Sequence, residues 1–318
     1  DVTVGRRVIV VAAADHGVAR RGVSAYPPEV TAQMVANFLA GGAAINVLAA
    51  GAEASLVIVD AGVASQIAGS GALGAVGAGA AGQSVHLLRA RIRDGTSDMT
   101  EGPAMTREEA LRAVSAGVDV VAGLRDRGLD LIGVGEMGIG NTTAASALTA
   151  VLAGTPPDLV TGLGTGLDED GRRRKVAAIE RALKVNAVDP ADPLACLAAV
   201  GGFEIAVLVG VILGAVAERV PVLLDGFITG AAALVAVALA PGASARVIAS
   251  HRSAEPGHAI ALERLGLQPL LALDLRLGEG TGAALAMGLI DSALRLRDGM
   301  ATFDSARVAG PVDPPARD

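Results

Sequence analysis

A single carboxylate between glycines is the residue in this sequence best suited to acid–base chemistry. Glu279 lies in the stretch Leu277–Ala283, where a predicted strand turns into a predicted helix. The flanking glycines allow positive φ and a close approach of a ligand to the main chain. The N-terminus of the following helix favours negative charge nearby. Taken alone, the pattern fits a solvated surface turn as well, since turns use glycine routinely.

Two other glycine-rich turns share the context of strand, turn and helix. One runs from Gly135 to Thr143, and the other runs from Thr161 to Gly166 and precedes Asp168. This arrangement presents free backbone N–H groups to a phosphate. The first turn is neither a Walker A loop nor an ordered dinucleotide fingerprint. The helix after the second turn carries several cations, of which we expect one to reach back to the turn and the rest to be solvated: Arg172, Arg173, Arg174, Lys175 and Arg181.

The elements that must position these turns form an alternating pattern of strands and helices. Such alternation predicts an α/β fold with a doubly wound, mainly parallel six-stranded sheet and a smaller helical subdomain. Ligands bind beyond the carboxyl ends of the strands in such sheets, so we expect the polar clusters to converge on one crevice. The predicted strands are Arg7–Ala14, Ala54–Asp60, Leu129–Val134, Val220–Asp225, Arg246–Ser250 and Leu270–Leu275.

The predicted helices include one with a capping box, Thr106 to Glu109, whose apolar face is Leu111, Val114, Val118 and Val121. Two strongly apolar helices, at 205–217 and 226–240, are shorter than the ~18–20 residues that cross a bilayer, so no membrane span is predicted. We expect one domain over residues 1–318, with a helical subdomain from about 15–50 plus a C-terminal helix at 281–318. The Gly/Ala tract at 62–83 predicts a flexible loop.

Composition excludes several classes of function. A net charge of −7 and an aromatic content of 2% argue against nucleic-acid binding. The single cysteine, Cys196, and the absence of a secretory pattern at the start of the sequence favour a cytoplasmic location. The four histidines show no convergent spacing, so no metal site is predicted.

Several long motifs in series, taken together, resemble one known family over nearly the whole sequence. These are GVSAYPPEVTAQMVANFLAGG, GEMGIGNTTAASAL, TGLGTGLDEDGRRRKV, LLDGFITGAAAL, ASHRSAEPGH and LGEGTGAALA. They resemble the nicotinate-nucleotide–dimethylbenzimidazole phosphoribosyltransferases of cobalamin biosynthesis. The resemblance implies a pentosyltransferase that acts without a cofactor. It would move the phosphoribosyl group of nicotinate mononucleotide to 5,6-dimethylbenzimidazole, giving α-ribazole 5′-phosphate and nicotinate. It also implies a homodimer.

The resemblance further implies roles for individual residues. Glu279 would be the general base, and Asp225 and Arg252 would lie behind the contacting residues and orient them, although a plain helix-capping role explains Asp225 almost as well. Arg252 is also a candidate, with Arg276, for binding anionic groups, which suit the guanidinium fork. The benzimidazole would contact Ser24, Tyr26, Gln33 and Met137, although core packing explains Tyr26 and Met137 equally well. The nucleotide and its phosphate would contact Glu136, Gly138, Asn141, Thr142, Gly164, Lys175, Ser253 and Arg276.

Two other functions remain open from the residues alone. A nicotinamide-dependent dehydrogenase would share the sheet and the glycine turns, although the ordered fingerprint is absent. A non-catalytic protein that binds azoles or nucleotides is the other alternative.

Overall fold

A seven-stranded sheet organises the molecule, with strand order β3-β4-β2-β1-β5-β6-β7. The computed structural model describes residues 4–67, the backbone of 75–78, and residues 84–310. Every strand pairing is parallel except that of β3 with β4. The strands are β1 (Arg7–Ala14), β2 (Ala54–Gly62), β3 (Ala75–Ala78), β4 (Ser84–Arg89), β5 (Leu131–Met137), β6 (Val222–Leu224) and β7 (Val247–Ala249).

The predicted α/β fold with a mainly parallel sheet is confirmed, but the sixth predicted strand is wrong. Leu270–Leu275 forms only an isolated bridge, between His251 and Leu271. The segment is too exposed for a sheet strand, with Leu273 58% exposed. The sixth parallel strand is β4 instead, whose alternating burial and polar Ser84 and His86 gave no continuous apolar run.

Helices cover both faces of the sheet. On one face α1, α2 and α11 share a core with Ile9 and Val11 of β1. On the other face α3, α4, α6, α7, α8 and α9 share a core with Val8 and Val10. The helices are α1 (Val30–Ala40), α2 (Ala44–Gly51), α3 (Arg107–Arg125), α4 (Asn141–Ala153), α5 (Pro157–Val160), α6 (Glu169–Val185), α7 (Pro193–Val200), α8 (Phe203–Ala217), α9 (Phe227–Leu239), α10 (Pro256–Leu265), α11 (Thr281–Gly299) and α12 (Phe303–Ala306).

Helix α3 begins where the sequence predicts, but its buried face matches the prediction only in part. The capping box is present, since Thr106 Oγ1 accepts a hydrogen bond from Glu109 N at 3.1 Å and Glu109 Oε2 accepts one from Thr106 N at 2.8 Å. Leu111 and Val118 are exposed, however, whereas Val121 is buried as predicted and most of the other buried residues are small ones around Gly117. A Cβ on Gly117 would overlap the Val207 carbonyl of α8. The close approach of the two helices therefore selects the small-residue face.

The stretch Val30–Gly51 is long and apolar enough to cross a membrane by composition alone. It is two helices, because Gly41 takes a left-handed conformation and ends α1. Both helices pack against the sheet, which is the arrangement of core helices in a globular domain.

We propose that α1, α2 and α11 form the small helical subdomain of an otherwise single domain. α2 packs directly on α11 and on β2. The predicted C-terminal helix is α11 followed, after a break, by α12, and residues 311–318 lie outside the described residues. Most of the tract for which a flexible loop was predicted, 68–74 and 79–83, lies outside them too, and Ala75–Ala78 within it forms β3.

Candidate active site

A cleft at the carboxyl ends of β5, β6 and β7 collects all three glycine-rich turns. This is the end of a parallel sheet at which ligands bind. It is lined by Glu136, Met137, Gly138, Ile139, Asn141, Thr142, Gly164, Thr165, Gly226, Phe227, Ile228, His251, Ser253, Glu255, Arg276, Leu277, Gly278 and Glu279. The convergence predicted from the sequence is present in the fold.

The turn that carries Glu279 has an unusual backbone. Gly278, Glu279 and Gly280 take φ values of 77°, 65° and 89°. A left-handed conformation is unfavourable for a non-glycine residue, and residues that adopt such conformations cluster at functional sites. The turn packs so tightly on β5 that a Cβ on Gly135 would overlap the backbone nitrogen of Gly280. Gly135 therefore allows the turn to press against the strand and fixes the position of Glu279.

The carboxylate of Asp225, which follows β6, accepts backbone hydrogen bonds from this turn. Its Oδ2 accepts a hydrogen bond from Gly280 N at 3.0 Å, and its Oδ1 accepts from Gly282 N at 2.7 Å and Ala283 N at 3.3 Å. These donors are N–H groups at the start of α11, which have no partner within the helix. Asp225 therefore ties the end of β6 to the turn of Glu279.

Glu136 and Glu279 are buried carboxyl groups with different partners. Burial and the carboxylates of Asp225 and Glu204 raise the pKa of Glu136 to about 8, against a hydrogen bond from Asn141 that lowers it. Burial also raises the pKa of Glu279, against the backbone of Ile45, which lowers it. Within the described residues, the buried Glu279 Oε2 has no hydrogen-bond partner. The raised pKa thus favours a protonated Glu136, which can donate a hydrogen bond, whereas Glu279 Oε2 has a lone pair that can accept one.

His16 and Glu204 form a buried ion pair beneath the part of the cleft that contains Glu136. His16 Nε2 lies 2.6 Å from Glu204 Oε1, and both side chains are almost fully buried. Burial lowers and the Glu204 carboxylate raises the pKa of His16, and the net direction is upward. A Cβ on Gly138 would come within 3.5 Å of Glu204 Oε1 and of Asn141 Nδ2. The pair therefore packs directly beneath the cleft.

The opposite end of the cleft carries a buried cation. Lys175 is fully buried, and its Nζ donates a hydrogen bond to Thr142 Oγ1 at 2.8 Å. Burial lowers the pKa of Lys175 to about 8, against the Glu255 carboxylate, which raises it. Glu255 Oε1 also accepts a hydrogen bond from Gly164 N at 3.0 Å. A buried ammonium beside a glycine turn at the start of a helix is an arrangement that can bind an anion.

Most of the predicted contact residues line the cleft, but several do not. Lys175 and Asp225 lie directly behind the lining. Tyr26 and Gln33 are exposed, which rules out core packing for Tyr26. Ser24, Tyr26 and Gln33 are not lining residues. The segment that carries them reaches the cleft at Thr31, whose Oγ1 accepts a hydrogen bond from Ile139 N at 3.1 Å. Arg252 points outward and is exposed, because alternation along the extended segment turns its neighbour His251 inward.

Sequence reasoning missed several residues of the lining. Phe227 and Ile228 start α9 just after Asp225, His251 follows β7, and Glu255 lies in the loop after it. For Phe227, Ile228 and His251 the available signal was their position directly after the ends of two neighbouring parallel strands. Glu255 gave no such signal, since its hydrogen bond with Gly164 joins residues that are 91 positions apart in the sequence.

Comparison with known proteins identifies close relatives of the chain. The profile of a family described as phosphoribosyltransferase matches residues 1–308. A nicotinate-nucleotide–dimethylbenzimidazole phosphoribosyltransferase of Desulforudis audaxviator is 52% identical over 304 residues, covering 96% of this chain and 82% of the relative. The protein of the same name from Halalkalibacterium halodurans is 50% identical over 305 residues, covering 96% of this chain and 81% of the relative.

A solved structure agrees with these relatives. The crystal structure of this phosphoribosyltransferase from Thermus thermophilus superposes with a TM-score of 0.87 at 47% identity, covering 97% of this chain and 87% of that chain. These relatives are transferases, so a dehydrogenase receives no support.

Proposed function

Because this chain belongs to the phosphoribosyltransferase family, we propose that it transfers the phosphoribosyl group of nicotinate mononucleotide to 5,6-dimethylbenzimidazole. The products are α-ribazole 5′-phosphate and nicotinate, in the assembly of the nucleotide loop of cobalamin. The observation that carries this proposal is the cleft itself. At one end it has the buried carboxylate of Glu279, whose Oε2 has no partner among the described residues, and at the other it has the buried ammonium of Lys175.

Glu279 acts as the general base. The bond between C1′ and the pyridinium nitrogen breaks, and its electron pair neutralises nicotinate's ring nitrogen, so the leaving group needs no acid. An acceptor nitrogen of the benzimidazole forms the new bond to C1′. The other nitrogen then loses its proton to Glu279, whose unpartnered Oε2 supports this role. Attack opposite the leaving group inverts the β linkage to α, and positioning of the two rings supplies much of the acceleration.

The nucleotide lies along the cleft, with its phosphate at the Lys175 end. Gly164, Thr142 and Ser253 surround that end, and Arg276 supplies a further cation at the rim. Glu136, Gly138 and Asn141 contact the nucleoside. The protonated Glu136 donates a hydrogen bond there, because its raised pKa keeps it neutral.

The benzimidazole binds between Met137 and the segment that contains Ser24, Tyr26 and Gln33. Met137 lines the cleft. The segment lies at its edge, since Ala25 Cβ would come within 3.4 Å of a Cβ on Gly166. An exposed Tyr26 ring is free to cover a flat aromatic ligand.

The experiment is a release assay with and without the acceptor. Nicotinate should appear from nicotinate mononucleotide only when dimethylbenzimidazole is present, and the product should be the α anomer. Equal release without acceptor would indicate a hydrolase. Binding of both compounds with no release at all would indicate the non-catalytic binder.

The protein also forms a homodimer in this proposal. Leu285, Leu289 and Leu296 make an exposed apolar stripe along α11, with exposures of 37%, 43% and 60%. Such stripes mark interaction surfaces. Leu289→Glu should yield monomers in sedimentation velocity, whereas Leu159→Glu, at an exposed leucine of α5, should not. A monomeric parent protein would contradict the dimer.

The enzyme resides in the cytoplasm, a proposal supported by its single cysteine. Fractionation of the source cells would test it, and recovery in the membrane or secreted fraction would contradict it.

A further inference from the structure

His251 is a buried histidine that lies between the two ends of the cleft and has no role in the proposed reaction. It lines the cleft directly after β7 and is 2% exposed. On one side, Cβ atoms on Gly282 and Gly226 would both contact its ring. Gly282 is bonded to Asp225, which also holds the turn of Glu279. On the other side, the chain reaches Ser253 and Glu255, which bonds Gly164. His251 therefore lies between the turn of Glu279 and the segment that is hydrogen-bonded to Gly164.

The hydrogen bonds around His251 define its tautomer. Ser250 Oγ lies 3.1 Å from the carbonyl oxygen of Asp225 and 3.1 Å from His251 Nδ1. A carbonyl oxygen only accepts, so the single hydroxyl proton of Ser250 goes to it. His251 Nδ1 must then carry a proton and donate to Ser250 Oγ. Asp225 Oδ1, 3.9 Å from Nδ1, favours the same proton position.

The other ring nitrogen is then an acceptor. Burial lowers the pKa of His251 to about 4, so the ring is neutral at neutral pH. With Nδ1 protonated, Nε2 keeps its lone pair. Nε2 lies 3.6 Å from the position of a Cβ on Gly226, a residue of the cleft lining that has no side chain. Within the described part of the chain, no hydrogen bond engages Nε2. The cleft thus presents a neutral acceptor at its centre, facing space that glycine leaves open.

We propose that His251 Nε2 accepts a hydrogen bond from one of the two vicinal ribose hydroxyls of the nucleotide, so that the enzyme discriminates against the analogue that lacks that hydroxyl. In a nucleotide the ribose joins the ring to the phosphate, and its vicinal hydroxyls are donors of the kind that this acceptor needs. The inference rests on the proposed transferase function, because it assumes that the phosphate lies at Lys175 and the ring at Glu279.

The experiment compares nicotinate mononucleotide with its 2′-deoxy and 3′-deoxy analogues on three proteins. In His251→Gln the terminal amide oxygen can replace Nε2 as the acceptor. In His251→Asn the amide reaches only the position of Nδ1, so the contact with Ser250 is kept and the acceptor is lost. A buried acceptor without its donor costs about 1–3 kcal/mol. We therefore expect the parent protein to disfavour one deoxy analogue in kcat/KM by roughly 5- to 150-fold.

The expected pattern is discrimination retained by His251→Gln and reduced nearly to unity by His251→Asn. Equal discrimination in all three proteins overturns the inference, while turnover of nicotinate mononucleotide by the parent protein leaves the proposed function standing. No turnover by the parent protein is the separate failure of the proposed function. If His251→Asn does not fold, long-range ¹H–¹⁵N spectra of the parent protein decide. A shift of the unprotonated His251 Nε2 resonance with the ribotide supports the contact, and an Nε2–H tautomer overturns it.

Discussion

Lys175 offers a test in which stability and ligand binding should change in opposite directions. The perturbation is Lys175→Met, which keeps an unbranched side chain, one atom shorter, and removes its charge. Lys184, an exposed lysine on the same helix α6, provides the matched control as Lys184→Met.

The magnitude follows from the burial of the ammonium. Its pKa falls from the ordinary 10.5 to about 8 in the folded protein, which corresponds to a destabilisation of about 3 kcal/mol by the charged form. Loss of the hydrogen bond to Thr142 removes about 1 kcal/mol of stabilisation. The unliganded variant should therefore be about 2 kcal/mol more stable than the parent protein below about pH 8.

The pH dependence has a definite sign. Between about 8 and 10.5 the folded parent protein loses this proton while the unfolded chain keeps it, so the parent protein gains stability as pH rises. The advantage of the variant should shrink over that interval and be absent for Lys184→Met. Urea unfolding at several pH values measures it.

Binding should show the opposite effect. A hydrogen bond to a charged group contributes about 1.5–3 kcal/mol, so KM for the nucleotide should rise roughly 10- to 150-fold with little change in kcat. An unliganded variant less stable than the parent protein would refute the argument that Lys175 is an uncompensated buried charge. An unchanged KM would move the phosphate site elsewhere.

Three other substitutions test separate features. Gly117→Ala should lower the free energy of unfolding in urea by about 1–3 kcal/mol, because the new Cβ overlaps α8. The control Gly123→Ala lies on the same helix with open space around it, so it should leave that free energy unchanged or raise it by up to about 1 kcal/mol. Equal effects of the two substitutions would contradict the packing argument. Asp225→Asn should lower kcat and should also lower the free energy of unfolding by about 1–3 kcal/mol, since an amide nitrogen would face a backbone donor at the turn of Glu279. An unchanged kcat would contradict the role of Asp225 in positioning Glu279. Glu136→Gln should work nearly as well as the parent protein at neutral pH and better above about 8, where Glu136 ionises; parallel pH profiles would contradict a protonated Glu136.

Five of the six predicted strands and the turn that carries Glu279 could be predicted because both depend on local patterns. Buried strands such as Arg7–Ala14 are continuous apolar runs, and the glycines around Glu279 indicate a turn. The glycine turn before α6 was enough to predict that one cation of that helix reaches back to the turn, and Lys175 does so. Its complete burial could not be predicted, because burial depends on the packing of α6 against α4.

Other features depend on contacts between distant segments. The buried face of α3 is set by α8, which approaches closely enough to favour Gly117 over Leu111. β4 has too few apolar residues to stand out, and β2 and β3 determine its place. The protonation of Glu136 and the tautomer of His251 follow from neighbours that only the fold brings together.

The most direct test of the central claim is the single-turnover rate of Glu279→Gln with both substrates saturating. The amide keeps the size of the side chain and cannot accept the benzimidazole proton. We expect the rate to fall about 10²- to 10⁴-fold, with the affinities for both substrates retained. A single-turnover rate within a few-fold of the parent protein would contradict the assignment of Glu279 as the base.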